Sequence, residues 1–197
     1  MSETAALRPA VIGDLLEATA KAVTAEANAL GAVGGWRPAD GEWSVNECIG
    51  HLIEAERRGF AGRIRRILAA DRPDIPADLE DWDPPAVAVT RQDHLRGGVE
   101  LAAAFVALRA DGVTLVRSLT DDDLPRFGRH PHVGALRVDE LLGEWVFHDR
   151  NHLRQLLAVT QARVWEQMGN ARRFSLEESS PAKVPDPIAG RLTGPDR

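Results

Sequence analysis

Residues 144–157 read EWVFHDRNHLRQLL. With Leu141 added, the apolar positions recur three and four apart. Leu141, Trp145, His148, His152 and Leu156 then form one stripe of a helix running from about residue 138 to 160. Such a stripe faces a core, yet two of its members are imidazoles. Two explanations compete. His148 and His152, at i and i+4, both ligate one small cation, or they are polar residues tolerated at the edge of the packing. Asp149, Arg150 and Arg154 point elsewhere on the same helix.

The same periodicity organises the rest of the chain. Residues 7–30 carry Leu7, Val11, Leu15, Ala18, Ala22 and Leu30 at helical spacing, until GAVGG (31–35) breaks the pattern. After the loop WRPADGEWS (36–44), Ser44 and Glu47 form the S-x-x-E pattern of a capping box. A helix therefore starts near 45 and runs to about 70, with Val45, Ile49, Leu52, Phe60, Ile64 and Ile67 inward. Four prolines in 71–90 forbid a long helix there and indicate a long loop, a feature often tied to function. A third helix spans about 91–118, weakened at Gly97-Gly98. Residues 119–137 connect to the helix at 138–160, and a shorter one follows at about 161–173. No segment shows sustained alternation or a hairpin turn between strand-like runs, and no repeat is found. The fold class is all-α: a four-helix bundle with a short additional C-terminal helix. Residues 1–174 make one helical domain, and 175–197 hold too few apolar residues to pack and are expected to be disordered.

The chain has 197 residues, 44% hydrophobic and 27% charged, a globular balance sufficient for one core. The net charge of −6 argues against nucleic acid as a partner. No apolar run is long enough to span a membrane, and the first residues carry no basic-then-apolar leader, so a cytoplasmic protein is expected. The single cysteine, Cys48, cannot form an internal disulfide and reads as a buried small apolar residue. Arginine outnumbers lysine 22 to 2. The cluster RRGFAGRIRR (57–66) is either an ion-paired helix surface or a site for an anionic ligand.

A third metal ligand has to come from another helix. His51, in WSVNECIGHLIEAE, lies beside Cys48 and Leu52 and is either that ligand or a lone histidine at the edge of the core. Glu144 is one turn before His148 on the inward stripe; its options are a fourth ligand, a general base, an acceptor for an imidazole N–H, or an ordinary exposed glutamate. Asp149 is about 100° around the helix from His148 and suits a salt bridge or packing instead. Glu47 and Glu54 flank His51 and are weaker candidates. Trp43 and Trp145 read as core anchors, His130 and His132 as loop residues, and His94 has no obvious partner. There is no G-x-G-x-x-G, Walker, G-x-S-x-G, C-x-x-C or H-E-x-x-H pattern, which argues against nucleotide-cofactor chemistry, serine hydrolysis and the common metalloproteases.

WSVNECIGHLIEAE, HPHVGALRVDELLGEWVFHDRNHLRQL and the helix order together resemble the DinB-like, YfiT-related superfamily of metal-binding four-helix bundles, over roughly residues 10 to 165. The resemblance implies that the family's three metal histidines fall on His51, His148 and His152, and that the ion is divalent, zinc or nickel. It also implies a choice of activities. Some members use mycothiol or bacillithiol to conjugate electrophiles or to isomerise maleylpyruvate; others are called metal-dependent hydrolases. The expected function is a metal-dependent enzyme acting on a small molecule, a transferase that activates a low-molecular-weight thiol or a hydrolase, with Glu144 as the catalytic candidate. The competing reading is a non-catalytic metal-binding or stress-induced interaction protein. A homodimer joined through bundle faces is expected.

Overall fold

In the computed structural model, which describes residues 7–70 and 76–178, each long helix begins and ends for a local reason. Helix α1 (Pro9–Leu30) starts with proline in its first turn and stops at Gly31, whose φ of 51° closes the last turn onto the Ala27 carbonyl. Helix α2 (Val45–Glu54) opens with the capping box: the Ser44 side chain accepts from the Glu47 N–H while Glu47 accepts from the Ser44 N–H. Helix α3 (Ala61–Leu68) continues α2 after a π turn at Ala55–Gly59. Helix α4 (Pro84–Arg91) is capped by the Asp83 carboxylate. Helices α5 (Gly98–Ser118) and α6 (Val138–Trp165) complete the four-helix bundle, with α2 and α3 as one broken arm. The short α7 (Arg172–Glu178) belongs to a second unit of the described residues, which begins at residue 161.

Several boundaries differ from the sequence reading. The single helix over 45–70 is broken by the π turn, in which one extra residue re-aims the side chains that follow. Residues 84–91 are a helix, not loop, because both prolines occupy its first turn, where a missing N–H costs nothing. The next long helix starts at 98 rather than 91, with Gly97 at its N-cap. Helix α6 extends to 165, and the short C-terminal helix covers 172–178 rather than 161–173. The expected disordered tail falls largely on 179–197, outside the described residues. Strands are present after all. β1 (Ala77–Asp78) pairs parallel with β2 (Phe127–His130), which pairs antiparallel with β3 (Gly134–Arg137). These strands are too short to show alternation; pairing across distant segments, not local pattern, makes them.

The inward face of α1 is Ile12, Leu16, Val23 and Ala27, one position on from the Val11–Leu15 stripe, and Leu7 and Val11 are exposed. All six core positions read for the second helical arm are buried. The core has two clusters, one around Leu16, Ile64, Val116 and Trp145, the other around Val23, Ile49, Leu101 and Leu156. They meet at Arg109, 2% exposed, whose guanidinium lies 4.8 Å over the Phe105 ring and 5.5 Å from the Trp145 ring. Arg109 donates to the Leu16 carbonyl of α1, to Glu56 in the π turn at 2.8 Å, and to both Asp149 oxygens of α6 at 2.5 and 3.0 Å. Trp145 Nε1 also donates to Glu56. One α5 side chain thus ties all four bundle arms. Asp149 takes the salt-bridge role read for it.

Candidate metal centre

Helices α2 and α6 bring His51, His148 and His152 to one point. One ring nitrogen from each lies within 4.8 Å of the others, the only such three-residue cluster among the described residues. His51 Nε2 and His148 Nε2 are 2.9 Å apart, and the ring centroids of His152 lie 4.3 Å from those of His51 and 4.4 Å from those of His148. The i, i+4 spacing on α6 sets the second pair; packing of α2 on the bundle sets the first.

The donor set suits a cation. Zinc–nitrogen bonds of about 2.0–2.1 Å in tetrahedral geometry put donor atoms about 3.3 Å apart; the His51–His148 pair is 2.9 Å apart and all three donors lie within 4.8 Å of one another. Burial lowers the His51 imidazole to about 3 and His148 to about 2, with neighbouring imidazoles adding to the effect, so both are neutral with lone pairs available at pH 7. His152 is lowered too, chiefly by burial. Its Nδ1 lies 3.0 Å from Gln155 Oε1, which can only accept there; Nδ1 therefore carries the proton and Nε2 is the free donor. His148 Nδ1 is buried and has no hydrogen-bond partner among the described residues.

Three aromatic rings surround the histidines. Trp43, read as a core anchor, is half-buried and packs on His51 and His152, with centroids 5.1 and 6.2 Å away. Trp82 stacks on His51 at 5.8 Å, and Phe60 meets His148 edge-on at 5.1 Å. The histidines form the floor of a cavity of ≈ 700 Å³ whose walls include Phe60, Trp82, Leu136 and Leu141. This is the size of a small-molecule site. Arg63, Glu140 and Glu144 are the charged lining residues. Glu144 is exposed at this cavity, and partial burial raises its carboxyl above the usual range.

The other candidates lie apart from the centre. Glu47 is held by Arg37 and the capping box, which keep its carboxyl down at about 2 against the cost of burial. Glu54 pairs with Arg57, Arg58 and Arg91. His94, which the sequence leaves without a partner, has its Nδ1 3.1 Å from Arg37 and 3.6 Å from Glu47. His130 and His132 face Asp81. Cys48 is fully buried and its thiol is pushed up to about 12, as a structural cysteine should be. The sequence reading missed Trp82 and Gln155, and took Arg63 only as part of the 57–66 cluster, an ion-paired surface or a site for an anionic ligand. Gln155 was within reach of sequence reasoning, being three residues past His152; Trp82 arrives by tertiary packing and left no local signal.

Known proteins share this frame. The chain is similar to proteins named "Putative metal-dependent hydrolase" from Oceanobacillus iheyensis, 24% identical over 127 residues, covering 64% of this chain and 69% of that protein. A protein of the same name from Bacillus cereus is 24% identical over 126 residues, again 64% of this chain and 69% of the relative. Among solved structures, YfiT from Bacillus subtilis, described as a probable metal-dependent hydrolase with an unusual four-helix bundle topology, superposes with a TM-score of 0.70 at 17% identity. The match covers 82% of this chain and 90% of that one, and it establishes the shared bundle. Among the described residues, no helix is long and apolar enough to cross a membrane. The DinB superfamily pattern matches residues 14–156, a span that includes all three histidines, and the chain belongs to the DinB superfamily.

Proposed function

We propose that this chain is a metal-dependent enzyme whose ion is held by His51, His148 and His152, and that it transfers a low-molecular-weight thiol to a small electrophile. The observation that carries the reading is the cluster's position: three imidazole donors, and no fourth ligand among the described residues, at the floor of a cavity large enough for a small molecule. Structural metal sites are normally closed by four protein ligands, whereas three leave room for a reactant. Bound there, a zinc or nickel ion supplies Lewis acidity and makes a thiol or water more acidic. The relatives' names favour water as the nucleophile, which makes hydrolysis the second form of the same proposal.

The chain's own residues take distinct parts. Glu144 lines the cavity one turn before His148, and its raised carboxyl suits it to take a proton from the incoming nucleophile. Arg63 offers a cation in the same wall for an anionic group on the thiol or the substrate. Phe60, Leu136 and Leu141 exclude water from the apolar part of the ligand.

The test is turnover by zinc- or nickel-reconstituted protein with mycothiol or bacillithiol and a bimane electrophile, beside a panel of ester and amide substrates. The proposal expects thiol-dependent turnover that falls about 100-fold or more in Glu144→Gln with metal content unchanged. Ester or amide turnover without thiol would select the hydrolase form. A metal-loaded protein inactive in every assay would contradict both and leave a metal-binding role without catalysis.

A further inference from the structure

We propose that Asp81 is a positioning residue: it fixes Trp82 as the wall over His51 by holding both histidines of the β2–β3 hairpin at once. Asp81 Oδ2 lies 2.9 Å from His132 Nε2, and Oδ1 lies 3.4 Å from His130 Nε2. The next residue, Trp82, stacks on His51 with ring planes 23° apart. The carboxylate and the indole thus belong to consecutive residues, one held by the hairpin and the other stacked on His51.

The tautomer of His130 turns its ring N–H towards Asp81. Its Nδ1 accepts from the His132 backbone N–H at 3.3 Å, so in the neutral ring the proton sits on Nε2, the atom that faces Asp81. His130 is itself 6% exposed and set in β2, which gives the carboxylate a rigid anchor. His132 is the exposed second arm.

The chain before Asp81 is also held. Leu79 N–H donates to the Arg129 carbonyl at 2.8 Å, continuing the β1–β2 pairing, and the Leu79 side chain is buried against Gly128. Arg63 Nη2 donates to the Glu80 carbonyl at 3.2 Å. These contacts fix the path up to residue 80 but not the direction in which the indole of Trp82 faces. Asp81 supplies that by linking its own peptide to the hairpin, whose Val133, Ala135 and Leu136 line the same cavity as Trp82. Two walls of the cavity are therefore joined through one carboxylate. The consequence for ligands, a cavity narrowed to a flat apolar group beside the centre, rests on the metal-enzyme reading; the positioning itself does not.

The test uses the metal-free full chain labelled with 5-fluorotryptophan, which gives one fluorine resonance for each of its five tryptophans. Trp82→Phe assigns the resonance of interest. In Asp81→Ala the Trp82 resonance should move towards that of free 5-fluorotryptophan and gain solvent isotope shift, while those of Trp36, Trp145 and Trp165 stay in place. His132→Ala should move the same resonance less far, and it serves alone if Asp81→Ala does not fold. An unmoved Trp82 resonance in the folded variants, or a displacement of all five, would overturn the proposal. Because no metal enters the experiment, its outcome is separate from whether the centre binds one.

Discussion

His51 Nε2 and His148 Nε2 lie 2.9 Å apart although the two residues are separated by 97 positions in the chain. Two lone-pair nitrogens at that distance repel unless a proton or a cation lies between them. Burial makes imidazolium expensive here, so the contact is either a hydrogen bond between two neutral rings, one donating its Nε2 proton, or the place of a cation, which would satisfy His152 as well.

Gln155 should tune that cation's affinity without touching it. Its Oε1 accepts the His152 Nδ1 proton and so keeps Nε2 free. Gln155→Ala should weaken zinc binding about 10–100-fold, the usual effect of losing a partner behind a ligating histidine. Competition with a chromogenic chelator measures this; unchanged affinity would show that the ring needs no such support.

Arg109 should dominate the stability of the bundle. It and its partners Glu56 and Asp149 are each no more than 2% exposed. Arg109→Leu leaves two carboxylates buried without their cation and should cost about 3–5 kcal/mol in urea unfolding. Adding Glu56→Gln and Asp149→Asn to that variant should recover part of the loss. A single variant as stable as the parent would contradict the network's role.

Acid should act on the metal-free protein through the centre. Folded His148 binds a proton only near pH 2, and His51 near 3, whereas an unfolded histidine does so near 6.5. Unfolding therefore takes up protons below pH 6.5. The contribution to stability is complete above that pH and is lost as pH falls towards 3 and 2. Glu56, pushed up to about 7 by burial despite Arg109, works in the opposite sense between 4.5 and 7. The comparison that isolates the histidine is wild type against His148→Gln. The variant should gain stability relative to wild type as pH falls below 6.5, and a difference independent of pH would refute the sign.

Cys48 should not react. A fully buried thiol pushed up to about 12 is neither accessible nor ionised at pH 8. Folded protein should show no reaction with a disulfide reagent until urea unfolds it, and rapid labelling of the native state would show that the region around Ile49 and Leu52 opens.

What the sequence disclosed follows from how local each feature is. The stripe from Leu141 to Leu156 and the Ser44–Glu47 box depend on helix geometry alone, and both appear as read. The face of α1 was misread by one position because Val11-Ile12 and Leu15-Leu16 offer two adjacent apolar stripes, and only the bundle partners choose between them. The β2–β3 hairpin, Arg109 and Trp82 are set by contacts between segments far apart in the chain. Nothing within a few residues of Trp82 marks it as a neighbour of His51.

The most direct test of the account is elemental analysis of protein purified without a metal-affinity tag, beside His148→Ala. The account predicts about one equivalent of zinc or nickel, lost in a variant that keeps its helical circular dichroism, since three ligands fix one ion. No metal in the wild-type protein, even after reconstitution at neutral pH, would contradict it and leave the three imidazoles as a buried polar cluster.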